Sequence, residues 1–117
     1  MMEARLSIVI VSWNVVDYLQ ACLDSILAQP GLRYDASQKS FLLDDAPLEI
    51  IVVDNDSADG TPGIVRARYP HAQLIESGAN LGFTGGNNLG IARASGEYLL
   101  LLNPDAELPT RPVSGGQ

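Results

Sequence analysis

Several things are scarce in this chain, and each scarcity excludes something. It has one cysteine, Cys22, so no intramolecular disulfide can form, and a thiol inside an apolar helical pattern reads as a small buried hydrophobe in a reducing cytosol. Long apolar runs are missing: Leu6–Val11 and Leu99–Leu102 are far too short to cross a bilayer, and the first residues lack the layout of a signal peptide. Basic residues are few, seven Lys and Arg against fourteen Asp and Glu, giving a net charge of -7 and a pI near 4.3. That sign repels phosphate backbones and anionic lipid surfaces, which argues against nucleic acid as a partner. No internal repeat is present. What remains is 117 residues, 46% of them apolar, which suits one domain with a modest core.

The apolar residues fall into alternating patterns. Leu6–Val11 is a continuous, mostly β-branched run, as expected of a strand covered on both faces of a parallel sheet. Leu19, Cys22, Leu23, Ile26 and Leu27 then recur at helical spacing, with Asn14 as a cap candidate and Pro30-Gly31 as the stop. Residues 31–47 mix Gly, Ser, Lys, Asp and Pro around Phe41-Leu42-Leu43 and read as an irregular, mobile insertion. Glu49–Val53 is a second buried-type strand. Thr61 and Pro62 supply a cap and a first-turn proline for a short helix closed by Pro70, and Leu74-Ile75 mark a third strand. A glycine-rich turn from Gly78 to Gly86 leads into a helix carrying Leu89, Ile91, Ala92 and Ala94, ended by Gly96, and Tyr98–Leu102 is the fourth strand. This β, α, β, α, β, α, β order predicts an α/β fold, a three-layer α/β/α arrangement around a mostly parallel sheet. The segment from Ala106 onward has two prolines, no periodicity and a Ser-Gly-Gly near its end, and is expected to be poorly ordered.

Polar residues collect where each strand ends. The first strand runs into Ser12-Trp13-Asn14, the second into Asp54-Asn55-Asp56-Ser57, the third into Ser77-Gly78-Ala79-Asn80 and the fourth into Asn103-Pro104-Asp105. Taken singly, each cluster also reads as a helix cap or a turn. Together they favour a ligand site, because parallel sheets bind ligands at the carboxyl ends of their strands. Asp54 and Asn55 offer an acceptor and an amide for a nucleobase edge or ribose hydroxyls. Gly85-Gly86-Asn87-Asn88 is read as opening a helix, where free N–H groups favour an anion such as a diphosphate, although it matches neither a Walker loop nor the dinucleotide fingerprint. Asp105 suits Mg²⁺ or Mn²⁺ bridging two phosphates. His71, in a loop after Pro70, reads as non-catalytic.

These motifs in this order resemble the family 2 glycosyltransferases of the GT-A fold, and in particular their rhamnosyltransferase-like branch. The likeness runs from about Leu6 to Leu108. It is carried by Val9-Ile10-Val11-Ser12-Trp13-Asn14, by Val52-Val53-Asp54-Asn55-Asp56-Ser57-Ala58-Asp59-Gly60-Thr61, and most of all by Asn80-Leu81-Gly82-Phe83-Thr84-Gly85-Gly86-Asn87-Asn88-Leu89-Gly90-Ile91 followed by Gly96-Glu97-Tyr98 and Leu101-Leu102-Asn103-Pro104-Asp105.

The resemblance implies a nucleotide diphosphate sugar as donor, a glycan or lipid-linked acceptor and an inverting transfer, with thymidine-diphosphate rhamnose as the analogy for the donor. It implies donor contacts from Ser12, Trp13, Asn14, Asp54, Asn55, Asn80, Gly85, Gly86 and Asn88. It also implies a divalent metal, Mg²⁺ or Mn²⁺, at Asp105 and Asn103, where Asn103 stands in for the first acid of the family's Asp-x-Asp motif. Residues 1–108 are then the nucleotide-sugar-binding half of the catalytic domain, with an insertion at 31–47 and a disordered tail at 109–117. The family's general base and acceptor pocket are expected in chain beyond this segment, so no residue here is assigned as catalytic. A cytoplasmic setting, peripheral to the inner face of a membrane, follows by the same likeness. The alternative is a non-catalytic nucleotide-binding fragment, able to pair as a homodimer through an exposed sheet edge.

Overall fold

The computed structural model describes residues 4–109. Nine elements follow one another: β1 (Leu6–Ser12), α1 (Val16–Leu27), β2 (Leu32–Asp35), β3 (Ser40–Leu43), β4 (Ala46–Asp54), α2 (Thr61–Arg68), β5 (Gln73–Glu76), α3 (Gly82–Arg93) and β6 (Tyr98–Leu102). β1 lies between β4 and β6, parallel to both. The far side of β4 is shared: its first residues pair antiparallel with β3, and Ile51–Asp54 pair parallel with β5. The sheet is mixed but mostly parallel, as the alternating pattern predicts.

Side-chain alternation along the sheet builds two cores. Ile8, Ile10, Ile50 and Val52 point to one face, where Leu19, Cys22, Leu23 and Ile26 of α1 and Val65 of α2 cover them. Val9, Val11, Ile51 and Val53 point to the other, under α3. Helices on both faces give the three layers, and explain why β1 and β4 are apolar at nearly every position. α3 comes unusually close to the sheet. A Cβ on Gly90 would lie 2.3 Å from Cγ1 of Val9, and one on Gly86 would lie 2.6 Å from Cγ1 of Val11, so these glycines set the spacing between helix and sheet.

Four expectations change. Residues 31–47 are not an irregular insertion but mostly the β2–β3 hairpin and the start of β4, pairing Leu32 with Leu43 and Tyr34 with Phe41. The hairpin turn is held by Asp35, whose carboxylate accepts from Ser37 N–H at 2.9 Å and from Gln38 N–H at 3.2 Å. Asn14 does not cap α1: it sits at φ 53, and the Val16 N–H donates instead to Asp59 at 3.0 Å. Thr61 is the first residue of α2 rather than its cap, which is Gly60, and its N–H donates to Asp59 Oδ1 at 3.2 Å. Ala106–Pro109 are held against α1 rather than loose; the remainder of the expected tail lies outside the described residues.

Candidate functional site

The strand order dictates where a crevice opens. From β1 the chain steps to β4 and on to β5, then returns to the opposite side of β1 as β6, so the connections diverge at the carboxyl end of β1. A cleft of about 610 Å³ lies there, walled by Val11, Trp13, Val15, Tyr18, Asn55, Asn80, Gly82, Phe83, Asn103, Pro104 and Asp105. All four strand ends anticipated from the sequence contribute to it, through Trp13, Asn55, Asn80 and the Asn103–Asp105 turn. A smaller apolar recess of about 100 Å³ beneath the hairpin, between Leu23, Phe41, Ile50 and Tyr69, brings together no comparable polar set. His71 stacks on Tyr34 beside that recess, away from the cleft, with ring centroids 3.6 Å apart.

Two of the predicted site residues, Ser12 and Asp54, do not line the cleft but lie buried behind it. Ser12 and Asp54 are neighbours in the β1–β4 register, and both are buried. Asp54 Oδ2 accepts from Ser57 N–H at 3.1 Å, while Oδ1 of Asp54 and the Oγ of Ser12 are buried without a partner in the protein. Such atoms are costly unless something else satisfies them. Asn55 is committed on both sides of its amide: Nδ2 donates to Gly82 O at 2.9 Å, and Oδ1 faces Leu81 N at 3.5 Å. Asn80 Oδ1 accepts from Gly82 N–H at 2.9 Å. These two asparagines therefore fix the start of α3 at the cleft edge.

The remaining residues singled out from sequence divide by position. Asn14 links two loops, donating its N–H to Ser57 Oγ at 2.9 Å and accepting from Ala58 N–H at 2.7 Å. Gly85, Gly86 and Asn88 are not at the opening of α3, which begins at Gly82. Gly86 faces the sheet and Asn88 is exposed, and neither lines the cleft. The part of α3 that lines the cleft is instead Gly82-Phe83 in its first turn, where the Gly82 N–H is already taken by Asn80 Oδ1. Sequence reasoning overlooked Tyr18 and Phe83, which stand 62% and 58% exposed around the same opening as Trp13. The available signal was position: Tyr18 lies off the apolar stripe of α1 near its first turn, and Phe83 falls in the first turn of α3.

The electrostatics are one-sided. Among the described residues Asp105 is the only charged one lining the cleft, and no group of three or more His, Cys, Asp or Glu forms. A phosphate group here meets a carboxylate and no basic side chain. One carboxylate plus phosphate oxygens is, however, a normal environment for Mg²⁺ or Mn²⁺, and the Asn103 amide adds a further oxygen, so the residues fit such an ion. Behind this turn lies Cys22, whose thiol is raised to about 11 by burial, then by the charges of Asp105 and Glu107.

Comparison with known proteins agrees with this geometry. The sequence model described as "Glycosyl transferase family 2" matches residues 7–113. The succinoglycan biosynthesis protein ExoO of Rhizobium meliloti is 33% identical over 98 residues, 83% of this chain and 24% of that protein. An N-acetylglucosaminyl-diphospho-decaprenol L-rhamnosyltransferase of Mycobacterium tuberculosis is 34% identical over 77 residues, 56% of this chain and 25% of that protein. The mannosyltransferase PcManGT of Pyrobaculum calidifontis, solved with GDP-Man and Mn²⁺, superposes with a TM-score of 0.70 at 26% identity, covering 93% of this chain and 30% of that one. Residues 1–349 of S. aureus TarS, solved with UDP, give 0.67 at 22% identity, covering 86% of this chain and 27% of that one, a likeness of fold alone. The chain thus spans about a quarter of the length of the curated relatives it matches.

Proposed function

Because the chain belongs to glycosyl transferase family 2, we propose that it forms the donor side of a transferase that moves a sugar from a nucleotide diphosphate sugar to a glycan or lipid-linked acceptor. The observation that carries this reading is the single cleft at the carboxyl ends of β1, β4 and β6, bounded by Trp13, Asn55, Asn80, Asn103 and Asp105. Trp13 supplies an aromatic wall for a nucleobase. Asn55 and Asn80 take up the Leu81 and Gly82 N–H groups and so fix the first turn of α3, whose Phe83 lines the cleft where the diphosphate would lie. Asp105 and Asn103 are the residues that would hold a divalent cation, which when bound would supply positive charge against the diphosphate.

The rhamnosyltransferase among the relatives favours a thymidine-diphosphate deoxysugar as donor, and an inverting displacement at its anomeric carbon. Such a displacement needs a base for the acceptor hydroxyl. Among the described residues Asp105 is the one carboxylate lining the cleft, and it would serve the cation. This segment by itself therefore binds donor and transfers little, since missing base assistance alone costs about 10²- to 10⁴-fold in rate. We place the enzyme in the cytoplasm, peripheral to the inner membrane face. No helix among the described residues is long and apolar enough to cross a membrane. Cell fractions in which the protein resists extraction by salt and alkali would contradict that placement.

The decisive experiment is thermal unfolding with UDP, dTDP or GDP, with and without Mn²⁺, in the natural chain and in Asp105→Ala. At a hundredfold excess over Kd the folded state gains about 2.7 kcal/mol. A Mn²⁺-dependent gain with one nucleotide, absent in Asp105→Ala, is the expected result. No gain under any condition rejects a donor site in this segment and leaves it a folded, non-catalytic fragment.

A further inference from the structure

The turn that carries Asp105 is tied down from behind. Ala106 N–H donates to Asn103 O at 3.0 Å, closing the turn itself. Beyond it the chain runs along one face of α1. Cys22 Sγ lies 3.8 Å from Asn103 O. One turn on, Ser25 Oγ donates to Cys22 O at 2.7 Å and accepts from Leu108 N–H at 2.9 Å. A further turn on, Gln29 Nε2 donates to Ser25 O at 3.0 Å and to Pro109 O at 2.8 Å. Leu108 packs on the core cluster that includes Cys22 and Ile26. None of Cys22, Ser25 or Gln29 lines the cleft.

Within the donor-site reading above, we propose that Ser25 is a positioning residue for Asp105, acting through the backbone of the segment that leaves the turn. The reason is geometric. Asp105 is exposed and has no side-chain partner of its own among the described hydrogen bonds, so its placement depends on its backbone. That backbone is held on its strand side by β6 pairing to β1 and on its exit side by the Ser25–Leu108 bond. A hydroxyl at position 25 has both functions occupied, one within the helix and one across to Leu108. Removing it breaks the bond to Leu108 and loosens the exit side, where only the Gln29–Pro109 bond and the packing of Leu108 remain, while leaving α1 intact, because alanine is a better helix former than serine. A ligand set loosened by loss of its supporting bonds binds its ion less well.

The test uses Trp13, the only tryptophan, as a reporter inside the cleft. Its fluorescence is titrated with UDP, dTDP and GDP, each in EDTA and in Mn²⁺, for the natural chain, Ser25→Ala and Ser25→Thr. Ser25→Ala is expected to bind nucleotide in EDTA like the natural chain but to lose about five- to tenfold of the Mn²⁺-dependent gain in affinity, the worth of about one such hydrogen bond. Ser25→Thr, which keeps the hydroxyl, retains the gain. Amide exchange gives an independent reading: the Leu108 and Ala106 amides exchange faster in Ser25→Ala and not in Ser25→Thr. An Mn²⁺ gain in Ser25→Ala equal to that of the natural chain overturns the proposal, as does unchanged exchange at Leu108. A natural chain that binds nucleotide with no Mn²⁺ gain overturns the cation assignment at Asp105, and one that binds no nucleotide at all overturns the donor-site reading, while exchange at Leu108 still decides whether Ser25 holds the segment leaving the turn.

Discussion

β1 and β6 are neighbours in the sheet and both mostly apolar, yet they live in different surroundings. Val9 and Ile10 of β1 are fully buried, whereas Tyr98, Leu99, Leu100 and Leu101 of β6 are 37% to 57% exposed. β1 has a strand on each side and a helix layer above and below. β6 has β1 on one side and an open edge on the other among the described residues. An apolar strand therefore reports what a fold expects to cover it, and only the neighbours decide whether this chain does the covering. The two ends of the sheet differ as well. At the carboxyl end two buried polar atoms lack partners, while at the amino end Glu49 collects donors from Ser7, Gln73 and Ser95. Satisfied chemistry marks the structural end and unsatisfied chemistry the functional one.

The sharpest way to break the comparison is a matched truncation. Ile51→Ala, in the centre of β4, is expected to cost about 2–5 kcal/mol, because it leaves a cavity between packed layers. Leu100→Ala in β6 is expected to cost less than about 1 kcal/mol. Urea unfolding of both variants measures the difference, and equal costs would show that β6 is as well covered as the centre. Next in size is Gly90→Ala. The added methyl meets Val9 at 2.3 Å and Val53 at 3.3 Å, so overpacking of about 1–3 kcal/mol should outweigh the better helix propensity of alanine. A more stable Gly90→Ala protein would mean that α3 can move off the sheet.

The same contrast explains what could be read in advance. The strands β1 and β4 and helix α1 were legible because burial on both faces and a four-residue apolar stripe leave strong patterns. The convergence of four strand ends was legible because parallel order places them on one edge. The hairpin at 31–47 was missed because each of its strands is only four residues long, although Leu32-x-Tyr34 and Phe41-x-Leu43 carry the alternation that its pairing uses. The opening of α3 was placed too late because Gly85 and Gly86 suggest a turn. Their missing side chains serve the close approach to the sheet instead. Asp59 as the acceptor for the first N–H of two helices was invisible locally, since the Val16 N–H that it accepts from is 43 residues away.

At the amino end, Glu49→Gln tests the satisfied side of the comparison. Burial pushes the Glu49 pKa up, but the bonds from Ser95, Ser7 and Gln73 outweigh it and hold the carboxyl below its ordinary value. A lowered folded pKa means that the unfolded chain takes up the proton first as pH falls. The stabilisation is then fully present above the unfolded value of about 4.3 and is lost as pH drops through the lower folded value. Glu49→Gln should cost about 1–2 kcal/mol at neutral pH and remove that part of the acid slope. Urea unfolding between pH 3 and 7 measures both, and an unchanged slope would show that the clamp carries no linkage.

The smallest effect on stability belongs to Leu100→Lys, and it says most about β6. Leu100 sits on an edge strand whose outer N–H and C=O groups are free to pair with another strand, and whose side chains are apolar from Tyr98 to Leu102. Natural edges avoid such pairing with lysine, proline or a bulge, and β6 has none of these. Two copies related by a two-fold axis can pair β6 with β6, since one strand laid antiparallel on itself meets its own edge. Leu100→Lys should leave the unfolding free energy within about 0.5 kcal/mol of the natural chain while putting two like charges into that pairing. Sedimentation over a range of protein concentrations separates the outcomes. Association in the natural chain that Leu100→Lys abolishes assigns the interface to β6. Association that survives the lysine puts it elsewhere, and a natural chain monomeric at every concentration means that an apolar edge of five residues is too short to hold a second copy.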